Sequence, residues 1–266
     1  MRTFCYCLRK DCIEFMRAKK NIIFSGILLV LGIMVLGMTQ LFPFLIESLM
    51  KQSPDFISDP LAINEMMEKL FPKDTKASLG IWSADVGVFY TIAIVLMVYG
   101  ILPSEIKSGK WIFPIAAGYK NSYLILSKSL VYSCGAAIPV TVMYNLYYLV
   151  ASLQLKSNYE IQNVIFNSII LGVCIFSIVN ITILLSLLYK QTIINAVSMI
   201  VMIIAVPDIM TLFSFGKYFP TYLLTYVYSS LTNYTEVVIP MLELIVIQVF
   251  IGKLAIKKSN RLEMER

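Results

Sequence analysis

The sequence predicts an all-α membrane protein with six transmembrane helices. Three observations carry this expectation. The apolar residues sit in long blocks, the charges collect between them, and the basic residues fall mainly on one side. Hydrophobic residues make up 58% of the 266-residue chain, charged residues only 14%, and the mean hydropathy is +0.78. Soluble domains carry about 25% charged residues. A soluble globular protein and a disordered chain are therefore excluded. So is a secreted disulfide scaffold, which is short and dense in cysteine.

A helix needs ~20 apolar residues to cross the bilayer. Six blocks meet that need: 21–46, 82–102, 119–151, 161–189, 192–213 and 237–256. Blocks three and four are longer and have room to tilt. The lead, 1–20, places Phe4, Cys5, Leu8, Cys12, Phe15 and Met16 at helical spacing. They fall within an arc of about 120°. Arg2, Arg9, Lys10, Glu14 and Arg17 lie off it. The pattern predicts an amphipathic helix along the membrane surface. No cleavable signal peptide is expected, because the first apolar block runs too long for one.

Counting Lys and Arg sets the orientation. The lead, the 103–118 loop with the start of block three, the link after block four and the tail 257–266 with Lys253 hold 16 of them. The opposite side holds six. Both termini are expected in the cytoplasm. The largest outer loop, 47–81, is acidic on balance, and Pro60 suits the start of a short helix over 61–70. The outer segment 214–236, with the end of block five, is broken by Pro207, Gly216 and Pro220 among aromatic residues. A pair of short re-entrant helices fits it, shielded by protein or lining a wet cavity.

Several chemistries are absent. There is no histidine, which excludes Ser-His-Asp triads, Cys-His pairs and histidine metal sites within the chain. No Walker-type glycine-lysine loop is present. Cys5, Cys7 and Cys12 read as free thiols on a helix face, as do Cys134 and Cys174 inside apolar blocks. The net charge of +6 reflects cytoplasmic loops, and no nucleic-acid partner is expected.

The loop after block two reads Ser104-Glu105-Ile106-Lys107-Ser108-Gly109-Lys110-Trp111-Ile112-Phe113, and continues to Leu126-Ser127-Lys128. This resembles the signature of ABC-2 type transporter permeases. In that family a glutamate precedes a glycine by four residues, and a glycine-lysine follows about nineteen residues on. Glu105, Gly109 and Lys128 match at those spacings. Gly118, Asn121 and Ser127 depart from it, standing where proline, arginine and the second glycine are common. The matching stretch covers about a tenth of the chain. The likeness extends to the amphipathic lead, the six blocks and the broken segment before the last.

The resemblance implies the membrane permease subunit of an ABC exporter. The 103–118 segment would be a coupling helix docked on a separate ABC ATP-binding subunit. Glu105, Lys107, Gly109, Lys110, Trp111, Phe113 and Lys128 are the expected coupling residues. Trp111, Ile112 and Phe113 would anchor in the partner, with Glu105, Lys107 and Lys110 as a polar rim. Glu105 would pair with a base of the lead helix or of the partner. ATP and Mg would be bound by the partner, with no cofactor and no enzyme activity in this chain. A second permease subunit, identical or related, would complete a path through the plasma membrane. The compact six-crossing form points to a bacterial source. The cargo expected is amphiphilic: a toxin-like or antimicrobial peptide, a hydrophobic drug or a lipid.

Charges at membrane depth are functional candidates: here Asp85, Asp208 and Glu243. Asp208 suits a helix cap. Glu243 suits a cationic substrate or a proton as well as a bond to a neighbouring helix. Asn145, Asn180 and Asn195 suit helix-to-helix glue. Tyr144, Tyr147 and Tyr148 form either an aromatic belt or a path lining. The candidate path or gate is Phe213, Phe215, Tyr218, Phe219, Tyr222 and Glu243. The alternatives are an ATP-independent carrier, an intramembrane enzyme, or a non-transporting immunity or sensor subunit of the same fold. A carrier or enzyme would need a denser set of polar residues at the midplane than the sequence has.

Overall fold

The computed structural model describes residues 2–52, 74–156, 159–188, 192–211, 216–229 and 235–264. The described residues form helices and no strand, apart from an isolated bridge between Asp74 and Lys156. The lead is α1 (Arg2–Arg17), followed by the long α2 (Lys20–Gln52). Next come α3 (Thr75–Asp85), a π-helical turn (Val86–Tyr90) and α4 (Thr91–Val98). Two short helices, α5 (Ile101–Lys107) and α6 (Ile112–Ala116), lead to α7 (Asn121–Gln154) and α8 (Ile161–Leu185). The chain ends with α9 (Thr192–Thr211), a 3₁₀ turn (Gly216–Tyr218), α10 (Tyr222–Tyr228) and α11 (Thr235–Met264).

Five stretches are long and apolar enough to cross a membrane: Lys20–Met38, Thr75–Lys107, Asn121–Gln154, Ile161–Leu185 and Thr235–Asn260. The fifth apolar block contributes a shorter stretch, Ile193–Val206. The second crossing begins earlier than its hydropathy indicates. Asp74 caps it, its carboxylate accepting from the Ala77 backbone N–H at 2.7 Å. A cap is a polar signal ahead of the apolar run, so an apolar window starts late. The helix expected over 61–70 lies outside the described residues.

The core lies around α7 and α8, which cross closely. A Cβ on Gly172 would meet the Thr141 hydroxyl at 2.3 Å, so the small residue sets the approach. Polar side chains join the helices where the hydrophobic effect cannot. Ser129 donates to Asn180, Asn180 donates to Gln248 at 2.9 Å, and Gln248 donates to Ser177 at 2.6 Å. This run ties α7, α8 and α11 together. Asn195 donates to the Thr182 carbonyl at 3.0 Å and ties α9 to α8. Asn145 instead bonds its own helix, at the Thr141 carbonyl.

The tyrosine cluster is neither belt nor open lining in this chain. Tyr144, Tyr147 and Tyr148 are all buried. Trp82 of α3 stacks on Tyr147 at 5.3 Å and meets Tyr144 edge-on at 5.8 Å. Tyr147 also shares a 2.7 Å hydrogen bond with Ser78. Hydropathy and aromatic content cannot separate a rim from a seam between helices; the packing partner decides.

Between α9 and α11 the chain folds inward. Leu223, Leu224, Tyr226 and Val227 of α10 are buried, and α10 packs on α3, α8 and α11. Tyr228 reaches the π-helical turn. A Cβ on Gly87 would lie 1.6 Å from the Tyr228 hydroxyl, so glycine there forms the notch that receives it. Gly87→Ala is expected to expel Tyr228 and destabilise the protein by about 1–3 kcal/mol. In a Tyr228→Ala background the same change should cost far less. Thermal unfolding of the four variants in detergent reads both.

Candidate functional site

The predicted signature residues Glu105 and Lys128 meet at the end of the bundle where α1 packs on α7. Helix α5 ends in a Schellman turn: Gly109 N–H bonds the Ile106 carbonyl and Lys110 N–H bonds the Glu105 carbonyl. Gly109 has φ +72°, a conformation open to glycine. Helix α6 ends the same way, with Gly118 at φ +83° and its own pair of bonds to Ile115 and Pro114. Two turns of one kind thus fold the loop back so that α7 starts beside α5.

That hairpin brings Glu105 to Lys128. Their charged atoms are 2.7 Å apart, and both side chains are buried. Two further carboxylates come from α1. Asp11 lies 3.1 Å and Glu14 2.8 Å from the same ammonium. An ammonium has three donors, and three carboxylates stand within 3.1 Å of this one. The second oxygens are also engaged. Glu105 accepts from the Trp111 indole at 3.2 Å, and Asp11 accepts from Ser127 at 2.5 Å. Glu14 has Lys110 at 3.6 Å. Nearby, Lys20 donates to the Tyr132 hydroxyl at 2.8 Å.

Helix α1 lies lengthwise against α7. Phe4 meets Tyr123 at 5.9 Å and Phe15 meets Tyr132 at 5.2 Å, with the Asp11–Ser127 bond between them. The contacts advance in step, so the two helices run side by side in the same direction. The packed face carries Cys7, Asp11 and Phe15, all buried. It is turned by roughly 80° from the apolar arc of the sequence, at ~100° per residue. Cys5, Cys12 and Met16 are left exposed. The arc weighed side-chain hydropathy alone, whereas a buried cation on α7 turns a carboxylate face inward. Glu105 finds its base on α7; α1 contributes acids to the site instead.

The expected coupling residues divide into two groups. Glu105, Trp111 and Lys128 point inward. Lys107 and Lys110 are exposed, and Phe113 is 84% and Ile112 58% exposed. Beside Phe113, a cleft of about 280 Å³ opens between α1 and α6, walled by Tyr6, Cys7, Lys10, Pro114, Ala117 and Tyr119 among others. Asp11 and Glu14 complete the site without having been singled out. Their signal was present: an i, i+3 acidic pair next to Cys7, Leu8 and Phe15 on one side of a helix.

The outer candidates are scattered. Tyr218 and Phe219 are exposed, and Tyr222 donates to Glu236 at 2.5 Å. Phe213 and Phe215 lie outside the described residues, as does the side chain of Asp208 in α9. Glu243 faces outward on α11. Asp85 is half-buried just before the π-helical turn. The cysteines are free, and no group of three His, Cys, Asp or Glu fit for a metal occurs among the described residues. Burial, with Asp11 beside it, raises the Cys7 thiol pKa, as suits a packed and unreactive cysteine.

Burial pushes the Glu14 carboxyl up, but the bond and charge of Lys128, with Lys110 and Lys10, hold it below the ordinary 4.5. A depressed carboxylate adds stability above its ordinary value and loses it as pH falls through the folded one. Docking of α1 should therefore persist at neutral pH and loosen only below pH 4.5, as limited proteolysis of α1 would read. Lys128→Ala leaves three carboxylates facing one another and should cost about 3–5 kcal/mol. Glu14→Gln, at the half-exposed edge, should cost much less. Compared with protein-family models, curated proteins and solved structures, the chain finds no match in any of the three.

Proposed function

We infer that this chain is the permease subunit of an ATP-driven exporter of the ABC-2 kind, moving an amphiphilic substrate out of the cell. Six helices cross the plasma membrane in this reading, α9 being the fifth, with both termini inside. The observation that carries it is the meeting of Glu105, Gly109 and Lys128. Three residues picked by their likeness to the family signature serve one structure: the glycine turns the chain, and the acid and base join α5 to α7 across the loop.

The clamp gives the loop a mechanical role. Glu105 belongs to α5, Lys128 to α7, and Asp11 and Glu14 to α1. A load applied at Phe113 therefore reaches three helices at once. Phe113, Ile112 and the adjacent cleft supply an apolar contact for an ATP-binding subunit, with Lys107 and Lys110 around it. Trp111 acts from inside, holding Glu105. At the outer end, α10 and the Tyr228 contact at Gly87 would form the gate, and a second permease subunit would close the path.

Co-purification with the ATPase encoded beside this chain, scored as ATP hydrolysis, tests the reading. Phe113→Ala should lower association several-fold with little change in thermal stability. Glu105→Ala and Trp111→Ala should lower both. Absence of association with any ATPase would remove the transporter reading and turn attention to Glu243 and Asp208.

A further inference from the structure

The face of α1 turned away from α7 remains uncovered. Along it run Tyr6, Arg9, Ile13 and Arg17, spaced three or four residues apart, so they form one stripe. All four are exposed. With Lys10, Glu14 and Ala18 they make up an open side of α1 that no second element walls. The charges on this side are not equivalent. Lys10 has Asp11 at 3.9 Å, and Glu14 is held by Lys128 and Lys110. Arg9 and Arg17 have no ion pair among the described residues, and both guanidinium groups are exposed.

The chain itself fixes where this stripe lies. Helix α1 ends at Arg17, and the first apolar span begins at Lys20 after a tight turn in which Lys19 has φ +54°. The C-terminal turns of α1 are thus tied to the inner edge of the bilayer, at the rim of the bundle. Ile13 and Met16 are 44% and 58% exposed there, which suits the boundary between headgroups and acyl chains. Guanidinium binds phosphate through paired hydrogen bonds, and the inner leaflet is the source of phosphate at that depth.

We propose that the Tyr6–Arg9–Ile13–Arg17 face of α1 binds anionic phospholipid of the inner leaflet, with headgroup phosphate on Arg17, the guanidinium nearest the first apolar span, and with Arg9, about 12 Å further along the helix, adding attraction to the charged surface. Bound lipid presses α1 onto α7 from outside, on the side opposite the Asp11 and Glu14 contacts. The anionic lipid content of the membrane thereby sets how firmly the inner loop is clamped. This rests on the membrane-spanning character of the chain and on the inward placement of its N-terminus in the reading above, and not on ATP-driven transport.

The test is lipid retention. Full-length protein is reconstituted in phosphatidylcholine vesicles with a fraction of phosphatidylglycerol, extracted gently, and its bound lipid is measured by mass spectrometry. Phosphatidylglycerol should be enriched over its bulk fraction. Arg17→Gln should lower the enrichment about fivefold and Arg9→Gln less, whereas Lys257→Gln, an exposed base on α11, should leave it unchanged. Both arginines are exposed and have no ion pair among the described residues, so thermal stability in detergent should not move. No enrichment, or an equal loss with Lys257→Gln, would overturn the proposal. So would displacement by soluble glycerol phosphate at the same concentration, since the site would then bind free phosphate. Unchanged retention with weakened ATPase association would assign the face to a protein partner instead.

Discussion

Lys128 brings one positive charge into a buried position, and the packing of α1, α5 and α7 depends on how that charge is met. A lone buried ammonium is too costly to persist. One carboxylate would balance the charge but leave two N–H groups unbonded. Glu105, Asp11 and Glu14 surround the ammonium within 3.1 Å, and Lys110 and Lys10 offset the surplus of negative charge from the rim. The three acids come from two separate helices, so the requirement of a single side chain fixes the relation of α1, α5 and α7. Removing Lys128 would leave buried carboxylates facing one another with no counter-charge between them, whereas the half-exposed Glu14 can be neutralised at smaller cost.

The same logic in neutral form operates further into the bundle. Among lipid chains, apolar faces gain little by packing on one another, and small or hydrogen-bonding residues decide which helices associate. Gly172 lets α7 and α8 approach. The run from Ser129 through Asn180 and Gln248 to Ser177 then holds α11 to both. Outer surfaces of α2, α9 and α11 remain apolar and uncovered, with Leu41, Val201 and Val246 among the exposed residues. The outward Glu243 interrupts that surface on α11. A carboxylate among acyl chains is unfavourable, so this face is where a subunit or a wet path is most needed.

Block lengths made the helical, membrane-spanning character legible, because length and hydropathy follow from the solvent rather than from tertiary detail. The signature loop was legible because Gly109 must adopt a left-handed turn and its neighbours are charged. Illegible were the features set by a partner in space. The rotation of α1 depended on Lys128, more than a hundred residues away. Trp82 determined that the tyrosine cluster is interior. Asp74 extended the second crossing past its apolar window. Asn180 was read correctly as glue because an amide in an apolar block has few other uses, although its partner Gln248 was not evident.

The direction of α1 has a consequence for how force would pass through the chain. A helix lying across the bundle's base would touch α7 at one point and pivot there. A helix running beside α7 for three turns, pinned at Phe4, Asp11, Glu14 and Phe15, cannot pivot without breaking several contacts together. Phe15 is also set against Gly135, where a Cβ would come within 2.4 Å of its ring, so the upper pin is steric as well as aromatic. Movement of the α5–α6 loop would then carry α1 and the start of α7 as one body. The packed run of α1 ends at the Ala18–Lys19 turn, where Lys19 has φ +54° and the chain passes into the first apolar span.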